Sequence, residues 1–387
     1  MNYRKDKNGQ DLSILGFGCM RFPRDSKETE TMILKAVAEG VNYFDTAYIY
    51  PDSERVLGNI LHKNGLREKI FIATKLPHQK CHQYEDFDLI FNEQKARLKT
   101  NYIDYYLIHN IGSIETWNDL KRMNIEKWLS LKKQSGEIRN IGFSFHGIQH
   151  EFPALLNAYN WEFCQIQYNY MNENYQAGTK GLKEANAKGL SIVIMEPLLG
   201  GKLANLPKKG ADVLNSADIK PVEAALKWLW DKPEVTVVLS GMNSKEQVSE
   251  NIKIASETSL LTIAQKKAIL EVKKIFQSSY KIPCTGCNYC MPCPNRVNIP
   301  GGFASYNAYY ANGLITGMQQ YITSTSANDP ENNSRISRCT GCKLCEQKCP
   351  QHIKIVKEIK NVKKRLEPFW FNTLMKIIAK VMSGKKN

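Results

Sequence analysis

Eight of the eleven cysteines stand in two short runs near the carboxyl end of the chain. The runs read Cys284-Thr-Gly-Cys287-Asn-Tyr-Cys290-Met-Pro-Cys293-Pro294 and Cys339-Thr-Gly-Cys342-Lys-Leu-Cys345-Glu-Gln-Lys-Cys349-Pro350. Three cysteines spaced three residues apart on a tight turn can place their thiolates around one small iron–sulfur cluster. The two runs therefore predict two [4Fe–4S] clusters, which carry electrons one at a time.

In this spacing the fourth cysteine of each run is carried away by the next segment and ligates the cluster of the other run. One cluster is then expected to bind Cys284, Cys287, Cys290 and Cys349. The other is expected to bind Cys339, Cys342, Cys345 and Cys293. The region resembles the bacterial two-cluster ferredoxins, although its first run has two residues before the fourth cysteine where the usual run has three.

Structural zinc and a disulfide framework are the two alternative roles for these cysteines. Structural zinc uses pairs of cysteines, so zinc leaves the third cysteine of each run unexplained. A disulfide framework requires an oxidising compartment, which nothing in the sequence indicates.

Four polar residues stand at the ends of three successive predicted strands. Asp45 lies at the end of the second strand and Tyr50 follows it, Lys75 ends the third and His109 ends the fourth. A phenol has a pKa of about 10, so it is a weak acid at neutral pH unless a nearby cation favours its ionised form. Any one of these residues alone would most often be a surface group, so the four together at three successive strand ends are a much stronger indication of a functional site.

The elements that carry these residues alternate between strands and helices, which is the pattern of a (β/α)8 barrel. A doubly wound sheet would need a Gly-rich fingerprint after the first strand, and Gly16-Phe-Gly18 is too short for one. The predicted strands are 14–20, 41–46, 70–76, 103–109, 138–145, 163–168, 190–196 and 235–240. The predicted helices are 27–39, 53–63, 86–99, 116–134, 149–158, 175–188, 218–231 and 244–255.

Residues 1–275 resemble the aldo-keto reductases, which reduce carbonyl groups with a nicotinamide cofactor on a (β/α)8 barrel. The resemblance rests on Asp45-Thr-Ala with Tyr50, on Thr74-Lys75, on His109 and on Gly142-Phe-Ser144. It implies that Tyr50 donates the proton, that Lys75 paired with Asp45 eases ionisation of the phenol, and that His109 orients the carbonyl.

The same resemblance implies a set of nucleotide-binding residues, namely Ser144, Gln165, Leu198, Ser240, Gln247 and Asn251. Met195 stands where many members have a Tyr that stacks on the nicotinamide ring. Gly241 and Gln247 stand where NADP-preferring members have basic residues. The cofactor is therefore expected to be NADP or NAD, and the choice between them stays open, as does a bridging flavin.

The formal net charge of +15 is high for 387 residues. It is consistent with an ordinary solvated surface or with a face that steers an acidic electron carrier, a ferredoxin or flavodoxin. Nucleic acid is not expected as a partner, since no stretch is typical of groove binding. The amino terminus lacks an apolar signal core and no stretch is long enough to span a bilayer, so we expect a cytoplasmic protein.

We expect three regions: a reductase barrel over 1–275, an α+β ferredoxin-like domain over 276–365 and a basic amphipathic tail over 366–387. The tail could dock on this protein or a second copy, and could less readily lie on a membrane. Cys19, Cys81 and Cys164 are expected to be small buried apolar groups.

Together these patterns predict an oxidoreductase that acts on a carbonyl or alcohol and couples a nicotinamide to two clusters. A carbonyl reductase with purely structural clusters is one alternative. An electron-transfer or regulatory protein on a non-catalytic barrel is another, motivated by the missing Tyr and the missing basic residues.

Overall fold

The computed structural model describes residues 1–257, 259–327, 329 and 332–375. The chain divides into two compact units. The first consists of Met1–Leu198 and Val222–Lys266. The second consists of Leu199–Pro221 and the residues from Lys267 on, so the chain passes between the units three times.

A short hairpin opens the first unit, as the Asn8-Gly9 pair indicates. Its strands are β1 (Tyr3–Lys5) and β2 (Asp11–Ser13), which pair antiparallel with Tyr3 opposite Ser13. Gly9 has φ of +83°, the left-handed conformation that a tight turn requires and that glycine adopts without steric cost.

The expected (β/α)8 barrel is confirmed. Eight parallel strands close in the order β10-β3-β4-β5-β6-β7-β8-β9. They are β3 (Leu15–Gly18), β4 (Tyr43–Asp45), β5 (Phe71–Leu76), β6 (Ile103–Ile111), β7 (Ile138–Phe145), β8 (Phe163–Gln167), β9 (Ser191–Met195) and β10 (Val237–Ser240). Both faces of these strands are covered, which is why they consist of almost continuous apolar residues rather than an alternation.

Amphipathic helices follow the strands, and their apolar faces supply most of the buried core outside the barrel. The first-unit helices before β9 are α1 (Ser26–Ala38), α2 (Ser53–Lys63), α3 (Tyr84–Leu98), α4 (Ile114–Arg122), α5 (Ile125–Gln134), α6 (Phe152–Ala158) and α7 (Gly178–Ala187). After β9 come α8 (Lys208–Ser216) in the second unit, then α9 (Pro221–Trp230) and α10 (Lys245–Ser256). The single helix expected over 116–134 is interrupted at Asn124, whose φ of +61° ends α4 and begins α5.

Side chains fill the barrel interior in layers, and the polar layer lies at the carboxyl ends of the strands. Side chains alternate along a strand, so residues two apart face the same way. Tyr43, Ala73, Leu107 and Phe163 pack inside the barrel as part of one apolar cluster. The residues two positions further on are Asp45, Lys75, His109 and Gln165, which therefore form the next layer, towards the carboxyl ends of the strands.

The second unit is helical in its described residues, where the ferredoxin-like domain was expected to be α+β. Its further helices are α11 (Ile263–Ser279), which begins in the first unit, α12 (Ile299–Asn312), α13 (Leu314–Thr325), α14 (Leu344–Gln347) and α15 (Ile355–Leu366). Each cysteine run begins with a turn that contains two residues in the left-handed region, and α14 lies within the second run. The left-handed residues are Gly286 and Asn288 in the first run and Gly341 and Lys343 in the second.

The start of the predicted tail packs on the core of the second unit. Phe371 and Met375 are buried there, and the Phe371 ring contacts the Tyr321 ring with centroids 5.9 Å apart. Phe369 by contrast is 95% exposed. Residues 376–387, the rest of the predicted tail, lie outside the described residues. No described helix has the length and apolar character needed to cross a membrane.

Candidate functional site

Asp45 and Lys75 form a buried ion pair at the carboxyl ends of β4 and β5. Lys75 Nζ donates to Asp45 Oδ1 over 2.6 Å and to the Thr46 carbonyl over 2.7 Å. The Lys75 and Asp45 side chains are only 2% and 5% exposed. Burial raises the pKa of Asp45, while the charge and the hydrogen bond of Lys75 act in the opposite direction. The pair fixes the position of a cation in a site with little water.

Tyr50 and His109 lie beside this cation. Lys75 Nζ is 5.3 Å from the centroid of the Tyr50 ring. The Tyr50 and His109 rings meet edge to face, with centroids 6.0 Å apart and planes at 85°. The four residues that the sequence singled out therefore come together. The Tyr50 ring lies close to the Lys75 cation and also contacts the His109 imidazole.

His109 is held as a neutral imidazole. Burial lowers its pKa well below the usual value, and the charges of Lys75, His146 and His78 lower it further. A neutral imidazole can donate a hydrogen bond to a substrate oxygen while leaving the proton-donor role to another group.

His78 and His146 were not singled out from the sequence, yet both lie close enough to act on the charge of His109. His146 is buried and stands two residues after Ser144, the spacing at which strand residues share a face. That spacing is the signal that could have identified it.

A buried polar network lies behind the ion pair and was also missed. Glu54 Oε1 accepts from Thr74 Oγ1 over 2.6 Å and from Gln94 Nε2 over 2.8 Å. Gln94 Nε2 also donates to the Lys75 carbonyl over 3.1 Å. Arg97 Nη1 binds Glu54 Oε2 at 3.1 Å and the Tyr48 carbonyl at 3.2 Å. The network thus holds both the strand of Lys75 and the loop of Tyr50.

Two of the predicted nucleotide-binding residues lie at the mouth of the barrel. Ser144 is buried, and its hydroxyl accepts from the Asn110 backbone N–H over 2.8 Å. Gln165 Nε2 donates to Asp45 Oδ2 over 3.2 Å, whereas its buried Oε1 has no hydrogen-bond partner among the described residues. A buried amide oxygen of this kind is costly unless something binds it, which fits a polar ligand such as a carboxamide.

The other four predicted residues are divided among three places. Ser240 and Asn251 are buried and paired, since Asn251 Nδ2 donates to Ser240 Oγ over 2.8 Å. Gln247 is exposed on the first turn of α10, where its Oε1 accepts from the Asn243 backbone N–H over 2.9 Å. Leu198 is half-buried after β9 at the end of the first unit.

The amino terminus of α10 could hold an anion. Helix amino termini present free N–H groups and a positive dipole to phosphates. Ser244 caps this helix by accepting from the Gln247 backbone N–H. Lys245, exposed as the first residue of α10, supplies a positive charge close to Gly241 and Gln247 in the sequence.

Four cysteines line one cavity of the second unit. They are Cys284, Cys287, Cys290 and Cys349, and we call them the first quartet. The remaining lining is uncharged and includes Ile299, Phe303 and Ile353.

Cys293, Cys339, Cys342 and Cys345, the second quartet, line a second cavity together with Cys290. Here the lining also includes Lys343 and Lys348. The structure therefore places the fourth cysteine of each run beside the first three of the other run, with Cys290 lining both cavities.

Each quartet supplies four thiols, which is the donor set of a [4Fe–4S] cluster. In the described part of the chain, no three Cys, His, Asp or Glu side chains converge tightly enough to hold one metal ion. Burial, followed by the charges of Cys284, Cys287 and Cys349, raises the pKa of Cys290 to about 12. Bound iron would reverse this effect, because a metal cation stabilises the thiolate.

Both runs share one backbone conformation around these cavities. The third and fifth residues of each run have positive φ, as Gly286 and Asn288 do in the first run. The equivalent residues of the second run are Gly341 and Lys343. The repeated turn bends each run around its cavity, as a cluster-binding loop requires.

The three other cysteines are buried in the barrel unit. Burial raises the pKa of both Cys81 and Cys164 to about 12 and that of Cys19 well above its usual value. They behave as small apolar side chains, as expected.

Comparisons with known proteins match both the barrel region and the cysteine-rich region of the chain. The model of the aldo/keto reductase family matches residues 14–274, and that of the 4Fe-4S dicluster domain matches residues 283–354. The uncharacterized oxidoreductase YqkF of Bacillus subtilis is 27% identical over 321 residues, which cover 72% of this chain and 98% of that protein. The 9,11-endoperoxide prostaglandin H2 reductase of Trypanosoma cruzi is 26% identical over 256 residues, covering 64% and 83%.

Among solved structures, the holo form of aldo-keto reductase AKR11C1 from Bacillus halodurans superposes with a TM-score of 0.60. It is 26% identical, and the match covers 70% of this chain and 96% of that one.

Proposed function

Because this chain belongs to the aldo/keto reductase family and carries a 4Fe-4S dicluster domain, we propose that it couples carbonyl chemistry to single-electron transfer. The barrel reduces a small carbonyl substrate, or oxidises the corresponding alcohol, with NADP or NAD. The observation that carries the proposal is the placing of Lys75 Nζ 2.6 Å from Asp45 and 5.3 Å from the Tyr50 ring.

In this proposal a bound nicotinamide would supply a hydride, and Tyr50 would supply the proton to the carbonyl oxygen. The Lys75 cation lowers the free energy of the phenolate that remains, so the proton is released more readily. Asp45 keeps Lys75 in place by accepting its hydrogen bond. His109, neutral through burial, donates to the carbonyl oxygen and orients it.

Six residues are proposed to bind the nucleotide: Ser144, Gln165, Leu198, Ser240, Gln247 and Asn251. Support comes from the buried Gln165 Oε1, which has no partner in the described part of the chain. The amino terminus of α10, with Lys245 as its first residue, would receive a phosphate group.

In the second unit, the first and second quartets are each proposed to hold one [4Fe–4S] cluster, which supplies single-electron transfer. Thiolate ligands need a reducing compartment, so we place the protein in the cytoplasm. The chain that leaves β9 enters the cysteine-bearing unit at Leu199 and returns to the barrel only after Pro221, which supports a joint function of the two units.

Tyr50→Phe in anaerobically prepared protein tests the barrel chemistry. Carbonyl-dependent oxidation of NADPH or NADH should fall by about 10²- to 10⁴-fold, the usual contribution of a general acid. Tyr48→Phe is the matched control, because the Tyr48 hydroxyl donates to Glu93 Oε2 over 2.7 Å and belongs to no proposed catalytic group. Equal rates in Tyr50→Phe and the unmodified protein would refute the proposed role.

One observation favours a second candidate, a carbonyl reductase whose clusters are structural. Six of the eight cysteines in the runs pack against the apolar core of the second unit, as a structural metal site would. In that case the nucleotide would reduce carbonyl substrates without changing the visible absorbance of the clusters.

A further inference from the structure

The second quartet reaches the surface of its unit at one cysteine. Cys342 is exposed, whereas the seven other cysteines of the runs are partly buried. The next two residues, Lys343 and Leu344, are also exposed and line the same cavity. Leu344 is an apolar residue with 47% of its surface in solvent. Cys342 is therefore the most solvent-accessible of the four cysteines that would hold an iron–sulfur group here.

Positive charge surrounds this opening. Lys343 and Lys348 line the cavity and are exposed. Arg338 is exposed as well, and its Nε donates to the carbonyl of Asn295, a lining residue, over 3.3 Å. The nearby acidic residue Glu346 is turned to the backbone, where its Oε1 accepts from the Val356 N–H over 2.8 Å.

Helix α15 borders the same cavity and is basic on its outer face. Its inner face buries Ile355, Ile359 and Val362, and Ile359 lines the second cavity. Its outer face exposes four lysines: Lys357, Lys360, Lys363 and Lys364. Residues 339–366 contain eight Lys and Arg but only two Glu, so the local charge is strongly positive.

The first quartet lacks this feature. None of the described residues that line its cavity is charged. Of the two cysteine-lined cavities, the one with the exposed cysteine is therefore the one whose described lining carries positive charge.

We propose that the face formed by Cys342, Lys343, Leu344, Lys348 and the outer side of α15 is the docking site for a small acidic protein that carries single electrons. The inference deepens the proposed function and rests on it, since it requires a cluster in the second quartet. Opposite charges steer the two proteins together, and Leu344 gives the contact an apolar centre. One electron leaves the reduced carrier and enters the iron–sulfur group, so the carrier is oxidised and no proton or bond is transferred.

An acidic electron carrier suits this face better than another polyanion does. A membrane or a nucleic acid would be attracted by the lysines alone and would gain nothing from the exposed cysteine between them. A redox partner needs both features, because electrons pass only over short distances through the edge of the cluster.

The test uses the full-length holoprotein with the charge reversals Lys343→Glu and Lys348→Glu combined. The probe is a reduced acidic ferredoxin, mixed anaerobically in a stopped-flow instrument. The second-order rate of cluster reduction should fall by about tenfold or more at low ionic strength, and the difference should shrink as salt screens the charges. Binding of the oxidised ferredoxin should weaken in parallel.

Lys267→Glu combined with Lys274→Glu is the matched control, because both lysines are exposed on α11, which lines neither cavity. This variant should react with ferredoxin within about twofold of the unmodified protein. Reduced methyl viologen, a small cation, should reduce both variants at least as fast as the unmodified protein.

The proposed docking face would be overturned if the rate of reduction by ferredoxin fell equally in both charge variants. It would also be overturned if that rate fell in neither. Loss of binding to anionic vesicles or duplex DNA with unchanged ferredoxin kinetics would overturn it as well. These results differ from failure of the proposed function, in which the protein would contain no iron or methyl viologen would not reduce it.

Discussion

Lys75 Nζ lies 2.6 Å from the Asp45 carboxylate inside the barrel mouth, and both side chains are almost completely removed from water. Such a pair stabilises the fold only while both partners are present, since either charge alone would be left buried. The pair therefore links the stability of the barrel to the chemistry proposed for Tyr50.

Lys75→Met should destabilise the barrel by about 3–5 kcal/mol, because it leaves Asp45 buried without its cation. The double variant Asp45→Asn/Lys75→Met removes both charges and should be more stable than the single variant. Five of the six tryptophans lie in the barrel unit, so denaturant unfolding followed by tryptophan fluorescence reports the difference. A single variant as stable as the double would show that the pair is well solvated.

His109 predicts a pH dependence of stability. Its pKa is depressed in the folded protein, so below the unfolded value of about 6.5 the unfolded state binds a proton that the folded state does not. The stabilisation is present above that pH and is lost, at about 1.4 kcal/mol per pH unit, as the pH falls towards the folded pKa. Comparing unfolding midpoints near pH 5.5 and pH 7.5 should give a smaller difference for His109→Gln than for the unmodified protein. Identical differences would mean that His109 titrates normally.

Arg97 should matter for catalysis without touching the reacting atoms. It binds both Glu54 and the Tyr48 carbonyl, so Arg97→Met should release the loop that carries Tyr50 and lower kcat by about 10- to 100-fold. Arg67→Met is a suitable control, because Arg67 binds buried Asp104 at the start of β6, the opposite end of the strand from His109. Both variants should lose stability, and only Arg97→Met should lose kcat; equal kcat values would remove the positioning role.

The crosswise grouping of cysteines predicts the iron content of paired substitutions. Cys284→Ser/Cys349→Ser affects one quartet and should leave about four irons per chain, whereas Cys284→Ser/Cys293→Ser affects both and should leave almost none. Cys81→Ser, outside both quartets, should retain about eight. If instead the Cys284→Ser/Cys349→Ser variant contained less iron than the Cys284→Ser/Cys293→Ser variant, each run would bind its own cluster.

Much of this architecture could be predicted because it depends on local pattern. Each predicted strand contains one of the eight barrel strands or most of it, and strand parity alone groups Asp45, Lys75 and His109. The crosswise quartets follow from cysteine spacing, which a cluster constrains tightly.

What could not be predicted depends on contacts between distant residues. The left-handed conformation of Asn124 splits one amphipathic pattern into α4 and α5. Glu54 was missed because its partners Thr74, Gln94 and Arg97 lie 20 or more residues away and no local pattern connects them. Segment Leu199–Pro221 with α8 joins the second unit through contacts that its own sequence does not indicate, such as the close approach of Gly200 to the Thr285 carbonyl.

The most direct test of the central claim is anaerobic stopped-flow mixing of the iron-loaded protein with NADPH or NADH, followed through the visible absorbance of the clusters. If the barrel and the clusters exchange electrons, the absorbance should bleach after mixing with one of the nucleotides, and an aldehyde or ketone substrate should restore it. Full reductase activity with unchanged cluster absorbance would contradict the coupling and would leave the clusters with a structural role.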